Sequence, residues 1–157
     1  MNKAYYILLL GFFSLFFVSA CSKNDTVFSA YNELPPQGWH KDSIAVFEVT
    51  LNEEANYTVF VNVRNSANFK TQNLWLFIDY EQPDKTIKKD TVEFYLADNG
   101  GRWLGSGFGS LYEMKVAFLP KINFSQKGSY QFQVKQAMRD TVLVGINDIG
   151  LEIVKAH

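Results

Sequence analysis

An all-β fold, a single antiparallel β-sandwich of jelly-roll type, is predicted by three features of this 157-residue sequence. Apolar and polar residues alternate with a period of two in several separate stretches, which places the apolar side chains on one face of a strand. Turn-forming residues recur between those stretches. No segment sustains a helical period with caps. The content of 47% hydrophobic and 20% charged residues is that of a chain able to bury a core, not of a disordered one. A closed barrel is the alternative arrangement of the same strands.

Each element follows from its own pattern. Ser43 to Leu51 sets Ala45, Phe47, Val49 and Leu51 on one face. Tyr57 to Arg64 alternates Tyr57, Val59, Val61 and Val63 against Thr58, Phe60, Asn62 and Arg64. Asn73 to Tyr80 is almost continuously apolar and is expected to be buried on both faces, Trp75 included. Gln82-Pro83-Asp84-Lys85 supplies a turn, because Pro presets φ and Asp bonds to its local backbone. Lys89 to Leu96, Leu111 to Leu119, Ser129 to Met138 and Ile149 to Lys155 complete the strands, with a short one at Thr141 to Val144. Two stretches break the rhythm. In Phe28 to Asp42 the paired Pro35 and Pro36 force extended backbone, giving an arm across the sheet surface with Trp39 tucked in. Ala97 to Gly109 is rich in glycine, and a long loop of that kind inside a small domain is often functional.

The N-terminus sets the compartment. Asn2 and Lys3 precede an apolar run from Ala4 to Val18, shorter than the roughly 20 residues of a membrane span and fitting the apolar region of a secretory signal. Val18-Ser19-Ala20-Cys21 resembles a bacterial lipobox. Cys21 is the sole cysteine, so lipidation accounts for a thiol with no disulfide partner. The expected organisation is a signal peptide over 1–20, a lipidated tether over 21–27 and a β-sandwich over 28–157. Several acyl chains on one cysteine make membrane release negligible. Asp25 stands beside Lys23 without the acidic cluster that resembles a surface-export signal, which favours an outer-membrane location facing the periplasm.

Charge and side-chain chemistry narrow the function. A formal net charge of −1, with no block of like charge, leaves no basic footprint for nucleic acid. Of the two histidines, His40 has Asp42 and Ser43 nearby, yet no nucleophile elbow precedes any serine. Two histidines without a free thiol fall short of a zinc site. Glu53-Glu54 and the Asp79/Glu81 pair carry no spacing that fixes a glycosidase cleft, and Asp98-Asn99-Gly100 is a turn rather than a calcium loop. No enzyme, cofactor or metal is expected.

Six segments in order along the chain carry a resemblance: LPPQGWHKDSI at 34–44, FVNVRN at 60–65, DTVEF at 90–94, LADNGGRWLGSGFG at 96–109, QAMR at 136–139 and GINDIG at 145–150. Together with the lipoprotein signal they resemble the GldH gliding motility lipoprotein family of Bacteroidota. The resemblance implies a membrane-anchored, non-catalytic accessory component of gliding motility and type IX secretion machinery, with other envelope proteins of that machinery as partners. It brings no catalytic residues. The four sites Asp25-Thr26-Val27, Asp42-Ser43-Ile44, Asp90-Thr91-Val92 and Asp140-Thr141-Val142 also resemble the O-glycosylation sequon of exported proteins in that phylum. Thr26, on the tether, is the acceptor expected to be exposed; Ser43, Thr91 and Thr141 fit equally the polar start of an edge strand.

Two roles remain open for the 97–109 loop. Arg102, Trp103 and Phe108 form the principal interaction surface, in keeping with the enrichment of Trp and Arg at binding hot spots, or Trp103 plugs one end of the sandwich. The alternative function is a carbohydrate-binding module, for which Trp39, Trp75 and Trp103 are the candidate rings and Trp103 the one expected to be exposed.

Overall fold

The computed structural model describes residues 25–156, except for the side chain of Phe108. Every regular element among them is a strand: β1 (Thr26–Glu33), β2 (Trp39–His40), β3 (Ala45–Leu51), β4 (Ala55–Ser66), β5 (Asn73–Glu81), β6 (Ile87–Tyr95), β7 (Ser106–Phe108), β8 (Leu111–Phe124), β9 (Gly128–Gln136), β10 (Val142–Leu143) and β11 (Ile146–Lys155). One sheet runs β1-β11-β4-β8-β7, the other β3-β9-β5-β6, and β2 pairs with β10 in a small ribbon. All pairings are antiparallel. Leaving out the short β2, β7 and β10, successive strands alternate between the sheets except for the β5–β6 hairpin, which is the double Greek key of a jelly roll.

The alternation seen in the sequence is the alternation of burial. Along β3, Ala45, Phe47, Val49 and Leu51 are buried and the residues between them exposed. On β4, Tyr57, Val59, Val61 and Val63 face the other sheet, as do Ile149, Leu151 and Ile153 of β11. Leu74, Leu76 and Ile78 of β5 meet them with Phe132 and Val134 of β9. Each such buried side chain contributes about 1.5–3 kcal/mol.

One end of the sandwich is closed by rings. Phe124 lies 4.8 Å from Tyr130, 6.0 Å from Tyr57 and 6.2 Å from Tyr80, between ring centroids, and Tyr80 stacks on Phe132 at 5.3 Å. The buried hydroxyls of Tyr57 and Tyr130 donate to the carbonyls of Glu53 and Gln126 in the adjacent turns. At the opposite end Trp39 is completely buried, and its indole N–H donates to the carbonyl of Ser43.

Three elements depart from the pattern read in the sequence. The expected surface arm begins as a strand, with β1 paired along β11 from Thr26 to Glu33 and a bulge between Thr26 and Phe28. β5 is buried on one face only: Trp75 and Phe77 point outward, 38% and 47% exposed. A near-continuous apolar run reads as a doubly covered strand, but among the described residues no third layer covers the β3-β9-β5-β6 sheet. β8 continues beyond Leu119 through Pro120 and Lys121, where the pairing with β4 is irregular. Proline is tolerated because β7 pairs β8 only at Leu111 to Glu113, leaving the later part of β8 as an edge.

The outer face of the five-stranded sheet carries a polar clasp. Tyr31 of β1 lies over Gly150 of β11, and its hydroxyl donates to Glu113 of β8 at 2.8 Å. Arg64 of β4 donates to the same carboxylate at 2.6 Å and sets its guanidinium 3.9 Å from the Tyr31 ring centroid. A Cβ at Gly150 would stand 2.7 Å from the Tyr31 ring, so the ring reaches across only because that residue has none. Burial, then the bond to Glu113, pushes the Tyr31 phenol up to about 12. Burial would also raise the Glu113 carboxyl, but the bonds from Arg64 and Tyr31 outweigh it and hold the group below the usual carboxylate range.

Two expected outcomes follow from this packing. Trp39→Ala should cost about 3–5 kcal/mol, as removal of a buried aromatic does, read by chemical denaturation. The depressed Glu113 pKa means that its stabilisation is present above about pH 4.5 and lost as the pH falls through the lower folded value. Glu113→Gln should therefore lose less stability than the native chain between neutral pH and about pH 3; an equal or steeper loss would contradict the clasp.

Candidate functional site

The two ends of the sandwich differ in their connections. At the end where β1 begins, the turns are short: 52–54, 82–86 and 125–127. At the other end the chain makes its longer excursions: 34–44 with β2, 67–72, 96–110 with β7 and 137–145 with β10. The backbone ties these excursions together, with Leu34 N–H donating to Asn147, Ser66 to Gly145, Ala67 to Ser110, Leu96 to Gln72 and Ala137 to Trp75. Loops held by a rigid scaffold are where binding residues concentrate.

The glycine-rich loop is internally braced. Asp98 accepts the N–H groups of Gly100 at 3.0 Å and Arg102 at 2.9 Å on one carboxylate oxygen, while Arg102 Nε lies 3.1 Å from the other. The backbone N–H of Arg102, above all, holds the Asp98 carboxyl below its ordinary range. Past the turn, Leu104 N–H donates to Leu96 and Trp103 forms a bridge with Ala97. The ring of Trp103 then folds inward, half-buried, 6.4 Å from Phe69 and 5.7 Å from Tyr112. At Gly107 a Cβ would fall 2.0 Å from the Leu111 carbonyl oxygen, so glycine is what lets β7 lie against β8. The loop thus divides its labour: Trp103 plugs, while Arg102, with a side chain 84% exposed, and Leu104, 46% exposed, face solvent. Phe108 is in β7, but its side chain lies outside the described residues.

The other sequence-derived candidates fall in scattered places. Trp39 is wholly buried and has no ring face to offer a ligand. Thr26 heads β1, part-buried, with its hydroxyl 3.4 Å from Glu152, whereas Ser43, Thr91 and Thr141 are exposed. Cys21 lies outside the described residues. His40 is surface-exposed; its Nδ1 accepts the Asp42 N–H at 3.2 Å and lies 3.6 Å from the Asp42 carboxylate. Among the described residues no group of three or more His, Cys, Asp or Glu is placed to hold a metal.

Sequence reading missed the outer face of the β3-β9-β5-β6 sheet. Trp75 and Phe77 of β5 and Tyr95 of β6, 59% exposed, present three rings there. A groove of about 580 Å³ beside Phe77 is lined by Asp79, Lys89, Asp90, Thr91, Gln133 and Lys135. A second, of about 440 Å³, lies beside Trp75 between Thr71, Asn73, Met138, Arg139 and Asp140. Only the i, i+2 spacing of Trp75 and Phe77 signals that they share a face, and the alternating apolar residues Leu74, Leu76 and Ile78 masked it.

The profile of the GldH lipoprotein family matches residues 26–153, which is the whole sandwich from β1 into β11. The chain belongs to the GldH lipoprotein family. It is 35% identical over 155 residues to the gliding motility lipoprotein GldH of Flavobacterium johnsoniae, covering 94% of this chain and 93% of that one. It is 30% identical over 164 residues to a GldH homologue of Christiangramia forsetii, covering 99% of both. Five of the six segments that carry the resemblance fall into two groups, while DTVEF lies apart on β6. FVNVRN and GINDIG are paired neighbours on β4 and β11, and LPPQGWHKDSI, LADNGGRWLGSGFG and QAMR form or border the long excursions of this GldH-like lipoprotein. Among solved structures, chains of the infectious bursal disease virus Gx strain and of a subviral particle of that virus align with TM-scores of 0.37 and 0.35 at 13% identity. The alignments cover 83% and 84% of this chain but only 30% and 32% of those chains.

The loop geometry gives a direct expectation. Trp103→Ala should lower the unfolding midpoint measurably, because the ring bridges Phe69 and Tyr112. Arg102→Ala should leave it within error, since that side chain is largely exposed and is tied to Asp98 of its own turn. A thermal melt of both variants checks the division, and the reverse order would refute it.

Proposed function

We infer that this protein is a non-catalytic accessory lipoprotein of gliding motility and type IX secretion machinery, acylated at Cys21, held on the outer membrane facing the periplasm, and working through protein contacts. The observation that carries the reading is the near full-length similarity to a gliding motility lipoprotein. Geometry adds a polarity. From Cys21 to Asp25 the chain reaches at most about 14 Å, so the end with short turns lies against the bilayer. The strands then lift the long loops on the order of 30 Å away from it. Three of the family-like segments form or border that far end, where Arg102 and Leu104 stand exposed on a braced loop. Exposed Arg beside an apolar residue, positioned by a rigid turn, fits a protein partner.

Two measurements test this. Metabolic labelling with an alkyne analogue of palmitate should mark the native chain and not Cys21→Ser; equal labelling of both would refute the anchor. Chromosomal Arg102→Glu with Leu104→Asp should leave the protein at native abundance in membranes while machinery components no longer co-purify. A control at the opposite end, Lys121→Glu, should change nothing. Unaltered co-purification and secretion in the double variant would overturn the contact reading.

A further inference from the structure

We propose that the outer face of the β3-β9-β5-β6 sheet is a saccharide-binding trough, with Trp75 and Phe77 as its two stacking floors and a neutral, β-1,4-linked hexopyranose chain as its ligand. This site goes beyond the accessory role and is separate from the loop that carries Arg102.

The two rings are successive outward residues of one strand, so their Cα atoms stand about 7 Å apart along it. Both lie in one corridor. Phe77 is flanked by Lys135 of β9 and Thr91 of β6, and Trp75 by Ala137, whose N–H it accepts, and Glu93 of β6. Each ring borders its own groove, of about 580 Å³ for Phe77 and 440 Å³ for Trp75, sizes typical of small-molecule sites.

The composition of the grooves selects the ligand. In the Phe77 groove the one apolar residue is Phe77 itself, and polar groups are carried by Asp79, Lys89, Asp90, Thr91, Gln133 and Lys135, whose aliphatic stems extend the apolar floor. A protein hot spot is instead apolar at its centre, with charged residues depleted there. Acids and bases are equal in number in that groove, and Arg139 is matched by Asp140 in the other. Lys89 is paired with Asp79 at 3.2 Å. Charge balance of this kind suits an uncharged ligand and offers nothing to a phosphate chain. A hexopyranose with equatorial substituents has apolar C–H faces and a rim of hydroxyls that donate and accept. The ring floors match the faces; Gln133, Thr91, Asn73 and the Lys89–Asp79 pair match the rim. The amide of Gln133 is already oriented, donating to Gln131, which in turn donates to Glu48, so ordering it on binding costs little. A sheet face with two rings in line along one strand suits a β-1,4 chain, which is itself extended.

Titrating the full chain, purified in detergent, with cellohexaose and with chitohexaose tests the proposal. At least one should bind, seen as calorimetric heat and a change in tryptophan emission. Trp75→Ala and Phe77→Ala should each weaken binding about tenfold, and Trp75→Phe should retain most of it. Leu111→Ala, on the other sheet, should leave affinity unchanged. Both rings are partly exposed, so the variants should keep the native melting point; if one does not, Gln133→Ala supplies the same reading through the groove wall. No binding of either sugar at about 10 mM, or binding indifferent to Trp75, Phe77 and Gln133, would overturn the proposal. Protection of Trp75 by envelope proteins in the absence of sugar binding would instead mark the face as a protein contact and overturn it equally.

Discussion

The contact between two apolar sheet faces holds every other feature of this protein in place. A chain whose only cysteine is Cys21 has no disulfide to close its loops. In a jelly roll almost every connection crosses from one sheet to the other, so neither sheet is a continuous piece of sequence. The inner face of β4, with Tyr57, Val59, Val61 and Val63, is built long before the β11 residues it must pair beside, Ile149, Leu151 and Ile153. Contacts so distant in sequence make folding slow relative to helical domains, and they also make it cooperative: nothing in the sandwich is buried until both sheets meet. The two end closures then solve opposite problems. The ring cluster around Phe124 satisfies its hydroxyls within short turns. Trp39 seals the other end from within an excursion, and Phe69, Leu96 and Leu143 from the neighbouring excursions are buried with it.

How much of this was legible depended on the distance over which each interaction acts. Alternation is a local signal, so β3 and β4 could be read directly, and their buried faces are the ones that the pattern named. Trp75 and Phe77 were misread because a run of apolar residues says only that both faces are hydrophobic, not that something covers them. The β1 strand was hidden by its proximity to Pro35 and Pro36, which shape the excursion but not the strand preceding it. The inward turn of Trp103 depends on Tyr112 across the β7–β8 turn and on Phe69, which is far from it in sequence. The Tyr31–Glu113–Arg64 clasp joins three strands and had no sequence signature at all, although Gly150, which makes room for it, sits in a segment that carries the family resemblance.

Glycine illustrates why a compositional cue supports more than one reading. The density of glycine in 97–109 pointed equally to a displayed loop and to a backbone passing under steric pressure. Both hold at different positions. Gly107 is required by the approach of β7 to β8, and the Asp98–Arg102 turn is a small self-bonded unit that projects. The residue that packs, Trp103, sits directly between the two that show, Arg102 and Leu104.

The clasp over Gly150 bears on mechanics. β1 is an edge strand whose first residue lies at the end nearest the tether, and it runs antiparallel to β11. A pull on the chain at Asp25, with the far loops held, is directed along β1. The inter-strand hydrogen bonds lie perpendicular to that direction, so they are loaded together in shear rather than opened one at a time like a zipper. Tyr31 adds a cross-brace from β1 over two intervening strands to Glu113 on β8. Sliding β1 by one residue would therefore break the ladder and the brace in the same movement, which is the arrangement of a strand suited to carrying tension.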